Sequence, residues 1–318
     1  MHFSEVYKLE IEGHHDINFI DIDLSKDTKL YIDPYRIEHV NDTFTLKASM
    51  LIKDFFSQVF KCCREEDIVT LRTLLDFAHE PNETKLGLSC GKPNGKGASE
   101  NLLFEIFEQV IDKKLLNSGI IAQETDICLF VKNFNQDRMS DLITNIIRRE
   151  LYEYTYNECK KISIPDNYFS TATKVFWNHE LHAWDKFECF YPSVCEPVLL
   201  VPKNIISSRY IYSTEHFIRH QVIVSRQDYH FKNMTSLVQH KYSKSRGNYI
   251  DKPTKKSIYQ EEVQGKNRKE YITDYSFENI KDLNDYRTKM NSHAADLQPL
   301  SNEELDCIVY KKLKKKLA

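Results

Sequence analysis

Between Met139 and Tyr154 apolar residues recur at three- and four-residue intervals: Met139, Leu142, Ile143, Ile146, Ile147, Leu151 and Tyr154. This stripe predicts an amphipathic helix over about 137–161, the longest in the chain, whose apolar side must dock on a core. Pro165 ends it, because the residue before a proline is steered away from helical geometry. The opposite edge carries Asp137, Asp141 and Asn145 at one-turn intervals, with Arg148 continuing it. Like charges at that spacing repel each other unless something compensates them. The edge is therefore either an acidic helix start, favoured by the dipole and with Asp137 able to cap it, or one wall of an active site.

The rest of the chain reads as a mixed α+β fold: a small N-terminal antiparallel sheet packed with several helices, and a mostly helical, basic C-terminal portion. "VYKLEIE", "INFIDIDL" and "TKLYID" are short alternating or β-branched runs, as antiparallel strands require. Helical spacing follows in "FTLKASMLIKDFFSQVFKC", in "EEDIVTLRTLLDFAH", and in "SENLLFEIFEQVIDKKLLNSG" with Ser99 as its N-cap. "TDICLFV" suits a strand or a short helix, and "EPVLLVPKNII" a buried strand. Further helices are expected over Thr214–Asp228, Met234–Ser243 and Glu303–Leu317, and a polar, basic segment over 241–269. The expected organisation is an α+β core with the active site in 1–205 and a helical basic region in 206–318.

Charge divides further along the chain. Residues 1–231 hold 26 Lys/Arg against 35 Asp/Glu (−9), and residues 232–318 hold 18 against 12 (+6). Any polyanion contact is therefore expected mainly near the C-terminus, on Lys255, Lys256, Lys311, Lys312, Lys314 and Lys315. No run approaches the roughly 18 apolar residues of a membrane span, and the first residues lack signal-peptide character, so a cytoplasmic protein is expected. The eight cysteines form no C-x-x-C pair and no regular framework, which suits a reducing compartment.

Residues 80–99, "EPNETKLGLSCGKPNGKGAS", hold four of the eight glycines and form a long loop. Flexible backbone, lysines and a following helix N-terminus make Lys92, Lys96 and Ser99 phosphate-binding candidates, with Lys203 as another. The loop is not a Walker A, because Gly97 follows Lys96, nor is it a G-x-G-x-x-G dinucleotide fingerprint. Asp33, before Pro34 at a predicted strand end, either starts a turn or projects a carboxylate into a site. "WNHELHAW" is not H-E-x-x-H, since Ala183 stands where the second histidine belongs, and Trp177 and Trp184 read as packing anchors. Glu196 and Lys203 lie too far apart for a D/E-x-K nuclease core.

In combination, "LYIDP", "EPNETKLGLS…GKG", "DRMSDLITNIIRRELYEYT" and "PVLLVPK" resemble bacterial proteins associated with phage defence and mobile elements, over roughly residues 15–205. The resemblance implies an intracellular effector or sensor acting on nucleic acid or nucleotides, with a protein partner in a defence complex. The leading expectation is a metal-dependent nuclease or phosphodiesterase. Asp33, Asp137 and Asp141 would hold Mg²⁺, Asn145 would orient a ligand, and Lys96 would steady a phosphate oxygen. A nucleotide-binding hydrolase using the glycine-rich loop, and a non-enzymatic nucleic-acid-binding sensor or regulatory subunit, are the alternatives.

Overall fold

The computed structural model describes residues 1–77, 83–87, 96–193, 197–238, 240–245, 247–251, 253–293 and 298–311, the side chains of 96–101, 240, 241, 243 and 248–251 excepted. The fold is mixed α+β, rich in helix, with its strands in small antiparallel pairs. Two units make it up: Met1–Lys113 with Phe134–Tyr210 and Ala295–Ala318, and Lys114–Asn133 with Ile211–Ala294. Each is assembled from separated stretches, so neither coincides with a division at 205/206.

In chain order the helices begin with α1 (Phe3–Val6), α2 (Pro34–His39), α3 (Thr43–Glu65), α4 (Ile68–Leu75) and α5 (Lys96–Asp112). They continue with α6 (Glu124–Phe130), α7 (Gln136–Ile146), α8 (Arg148–Lys161), α9 (Thr214–Phe217) and α10 (Ile223–Lys232). The last are α11 (Lys255–Ile258), α12 (Arg268–Glu278), α13 (Ile280–Ser292) and α14 (Asn302–Val309). The strands are β1 (Tyr31–Ile32), β2 (Phe169–Asn178), β3 (Ala183–Pro192), β4 (Ile206–Ser207), β5 (His240–Ser243) and β6 (Asn248–Asp251), paired β1–β4, β2–β3 and β5–β6.

In the first unit α3 is the longest helix, at 23 residues. Asp42 caps it by accepting from the Thr45 amide at 2.8 Å, and the Asp42 amide donates to the Thr45 hydroxyl. Its face of Leu51, Ile52, Phe55, Phe56 and Val59 is buried, each side chain contributing about 1.5–3 kcal/mol of apolar transfer. Trp177 and Trp184 are cross-strand partners in the β2–β3 hairpin and both pack on Phe55. Their indoles donate to Asp54 in α3 and to the Leu74 carbonyl in α4, which fixes the hairpin against both helices.

Two expectations change here. The three N-terminal runs do not pair as a meander, and the first of them begins inside α1. Phe19, Ile20 and Ile22 are buried, and the first two meet the distant stretch "VLLVP" instead: Phe19 bridges Pro202, and the Ile20 amide donates to the Val201 carbonyl at 3.0 Å. The apolar run 198–201 is thus buried without becoming a regular strand. The expected long helix over 137–161 breaks at Ile147, whose φ of −94° and ψ of 20° separate α7 from α8. Asn145 donates from its side chain to the Asp141 carbonyl at 2.9 Å, competing for a helical acceptor next to the break.

The C-terminal α14 belongs to the first unit. His14, fully buried, bonds through Nδ1 to Asp306 in α14 at 2.6 Å, and Tyr310 donates to Asp21 at 2.8 Å.

In the second unit buried Asp126 in α6 accepts from Arg287 in α13 at 2.8 Å and from Tyr212 at 2.6 Å. Lys269 donates to the carbonyls of Cys128 and Val131, closing the C-terminal end of α6. The "TDICLFV" run is therefore helical, and part of the expected helix 234–243 is instead strand β5. The expected helix over 214–228 is realised as α9 and α10 joined by a π-helical turn, Ile218–Val222. The basic segment 241–269 contains β6, α11, a second π-helical turn at Tyr259–Val263 and the start of α12.

Candidate functional site

Arg148, the first residue of α8, and Tyr152 one turn later point the same side of that helix at the β2–β3 hairpin. On the hairpin, Lys174 and Phe187 are partners in register, as are Phe176 and Asp185, and Ala172 and Cys189. Partners in register share a face of the sheet, so Lys174, Phe176, Phe187 and Cys189 lie on one side. Tyr152 meets Phe187 edge-on with ring centres 5.7 Å apart, and Phe187 meets Phe176 at 5.3 Å.

Between α8 and the hairpin lies a cavity of about 420 Å³, within the usual range for small-molecule sites. Tyr152, Tyr156, Phe176, Phe187 and Phe190 give it aromatic walls. Its rim is mixed in charge: Arg149 pairs with Glu153 at 3.2 Å, and Lys186, Asp185 and Glu188 complete it. Tyr152 and Cys189, nearly inaccessible, form its deep end.

Behind them sits a polar cluster. Lys174 Nζ donates to Glu83 at 2.9 Å, and Arg148 lies within electrostatic reach of the same carboxylate. Burial alone would raise the Glu83 pKa, but Arg148 and Lys174 together hold it below the ordinary glutamate range. Arg148 also donates to Asn145. Its Nε has no hydrogen-bond partner among the described residues, and the Tyr152 hydroxyl has no nitrogen or oxygen partner there, only the Cys189 thiol beside it. Burial pushes the Tyr152 phenol well above its usual range, with Glu83 adding to the effect. The cluster therefore holds two cations, one carboxylate and two donors with capacity to spare.

Residues 8–213 match the family described as Domain of unknown function (DUF8370). The chain belongs to this family. The DUF8370 span contains every residue of the pocket and of the polar cluster behind it. Neither a curated protein nor a solved structure matches the chain.

Within the DUF8370 span the expected site residues fall into separate surroundings. Asp33 is buried as the cap of α2, accepting from the Tyr35 amide at 3.0 Å and from the Ser207 hydroxyl at 2.7 Å. Burial raises its pKa against the pull of Ser207 and Arg36. Asp137 and Asp141 are half-buried on α7, and Asp137 lies so close to Gly87 that a Cβ there would meet its Oδ1 at 2.9 Å. Among the described residues no three His, Cys, Asp or Glu side chains gather into a metal-holding group, so Asp33 does not join Asp137 and Asp141. Lys203 is taken up by the His14 carbonyl and by Asn302 at 2.9 Å, an anchor for α14 rather than a phosphate contact.

Lys92 lies outside the described residues, as do the side chains of Lys96 and Ser99, whose backbone is the first turn of α5. Beyond the matched span, Lys255, Lys256 and Lys311 are exposed, and Lys312, Lys314 and Lys315 are outside the described residues. Asn145 and Arg148 were on the polar edge singled out in the sequence. Glu83, Lys174 and the hairpin aromatics were not, although the alternation in "STATKVFWN" and "AWDKFECFY" is a usable strand signal.

Proposed function

We propose that the α8–hairpin pocket binds a nucleotide unit, free or at a nucleic-acid strand, with its base against the aromatic walls. The observation that carries this is the cavity of about 420 Å³ walled by Tyr152, Tyr156, Phe176, Phe187 and Phe190, with Arg149 and Lys186 among its lining residues. Stacking of a base on an aromatic side chain contributes about 1–3 kcal/mol and tolerates any base. Asp185 and Glu188 on the rim offer acceptors to exocyclic amino groups, and Arg149 and Lys186 offer donors to ring nitrogens and carbonyls. An effector or sensor in bacterial phage defence, the setting that the sequence resemblance implies, would use such a site to detect nucleic acid or a nucleotide signal. Calorimetric titration with nucleoside monophosphates and short single strands tests the reading. Phe190→Ala, on the exposed rim, should weaken binding about fivefold or more without unfolding the protein. Unchanged affinity in that variant and in Phe187→Ala would remove the pocket from the reading.

A second reading, hydrolysis of a phosphodiester, is favoured by Asp137 and Asp141 standing half-buried one turn apart on α7. Two carboxylates suit Mg²⁺, which usually takes one or two from protein and fills its octahedron with water and phosphate oxygens. Bound there, the ion would supply charge neutralisation and an activated water. Asp141→Asn should then abolish Mg²⁺-dependent cleavage while leaving nucleotide affinity within about twofold. Cleavage at the wild-type rate in this variant would sink the hydrolytic reading.

A further inference from the structure

The open edge of β3 bears on how the pocket holds a nucleotide, an inference that rests on the nucleotide reading above. Side chains alternate between the two faces of a strand, so a cavity set against one face meets every second residue. This cavity meets six residues in a row, Asp185 to Phe190. It therefore runs along the outer edge of β3, which pairs only with β2 among the described residues.

The register decides which main-chain groups face that edge. Antiparallel pairs alternate between those that exchange N–H···O bonds and those whose N–H and C=O turn away from the partner strand. Ser193 donates to the Tyr168 carbonyl at 2.9 Å, one step beyond the Phe169–Pro192 pair, so it belongs to the first kind. Two residues per step inwards, Tyr191, Cys189, Phe187 and Asp185 are of that kind too. Lys186, Glu188, Phe190 and Pro192 then turn outwards, where Pro192 has no N–H to lose. The Lys186 amide is already taken by Asp185 Oδ1 at 2.7 Å. Glu188 and Phe190 each present an N–H beside a C=O to the cavity, and these groups have no hydrogen-bond partner among the described residues.

A donor beside an acceptor is also what the Watson–Crick edge of every nucleobase offers. In adenine and cytosine an amino group adjoins a ring nitrogen, and in guanine and uracil a ring N–H adjoins a carbonyl. We infer that the pocket takes an unpaired base, whose Watson–Crick edge bonds to the main chain of Glu188 and so extends the β2–β3 sheet. The faces of that base are left for the aromatic walls. Main-chain groups carry no preference for one base, so all four fit. A base already paired in a duplex does not, because its edge is spent. The ligand is then a free nucleotide or a single strand.

The test is a calorimetric panel on the full chain. It holds the four nucleoside monophosphates, the 3-methyl analogue of the uridine and the 6-dimethylamino analogue of the adenosine compound, and a short single strand alone or annealed to its complement. The four parents should bind within about tenfold of one another. Each methylated analogue keeps its ring faces but loses the donor of its edge, and should bind about tenfold or more weakly than its parent. The duplex should fall behind the single strand by at least the same factor. On the protein, Glu188→Pro removes an N–H that the β2–β3 ladder does not use, as Pro192 already does on the same edge. It should bind about tenfold or more weakly than Glu188→Ala, which loses the same carboxylate but keeps the N–H. Should Glu188→Pro not fold, the methylated analogues decide alone. Analogues that bind like their parents, or equal affinity in the folded proline and alanine variants, would overturn the main-chain contact while leaving a base among the aromatic walls. Binding by none of the probes overturns both readings.

Discussion

Lys174 on β2 donates to Glu83 across 2.9 Å, joining two residues 91 positions apart in the chain. Removing either partner should be unequal in cost. Glu83→Gln leaves Arg148 and Lys174 facing each other without neutralisation, whereas Lys174→Met leaves Glu83 still beside Arg148. In urea unfolding, Glu83→Gln should lose about 2–4 kcal/mol and Lys174→Met about 1–2 kcal/mol. The double variant should lose less than the sum. Additive losses would mean that the two side chains are energetically independent.

Glu150 sets a pH dependence of stability. Burial raises its carboxyl from 4.5 to about 7, and its Oε2 has no hydrogen-bond partner among the described residues. The folded state therefore holds a proton that the unfolded state has released between pH 4.5 and about 7. Stability from this group falls as pH rises through that window, and the deficit is complete above it. Glu150→Gln should flatten the profile there and raise stability at pH 8 by on the order of 1–3 kcal/mol. Thermal unfolding of both proteins from pH 4 to pH 8 measures the difference.

At Gly13 the requirement is space. Its φ of 177° is extended backbone that any residue adopts, yet a Cβ there would lie 2.5 Å from Asp306 Oδ2. Gly13→Ala should push the Asp306 carboxylate off the His14 amide and ring, costing about 1–3 kcal/mol. Amide exchange within α14 should accelerate first, and unchanged exchange there would show that the neighbour simply gives way.

In the second unit Arg287→Met would strand the fully buried Asp126 carboxylate beside the Tyr212 hydroxyl. The expected loss is about 3–5 kcal/mol, against roughly 1 kcal/mol for Tyr212→Phe, which removes one donor and keeps the ion pair. Calorimetric unfolding of the two variants tests the ratio, and equal losses would show that the ion pair is worth no more than one hydrogen bond.

The sequence was most informative where one periodicity dominates. The apolar face of α3 and the helical side of α5 were plain, because each needs only local spacing. The α7–α8 stripe was equally plain, but the break at Ile147 was not, since no glycine or proline marks it and its polar partners include a side-chain bond from Asn145. The N-terminal runs were correctly apolar and wrongly paired: alternation identifies an extended buried residue, not which distant segment lies beside it. Asp33 followed the turn-starting habit of Asp-Pro and became a helix cap. The pocket was hardest to read, because Glu83, Arg148 and Lys174 come from a loop, a helix start and a strand with no shared spacing.

The His14–Asp306 contact has a consequence for synthesis. The two residues are 292 positions apart, and a ribosome adding about 5–20 residues per second delivers the second roughly 15–60 s after the first. Throughout that interval the nascent N-terminal segment has a buried-type histidine, and the Asp21 carboxylate that Tyr310 will reach, without their final partners. The first unit is thus completed only once α14 has been made, long after its N-terminal residues.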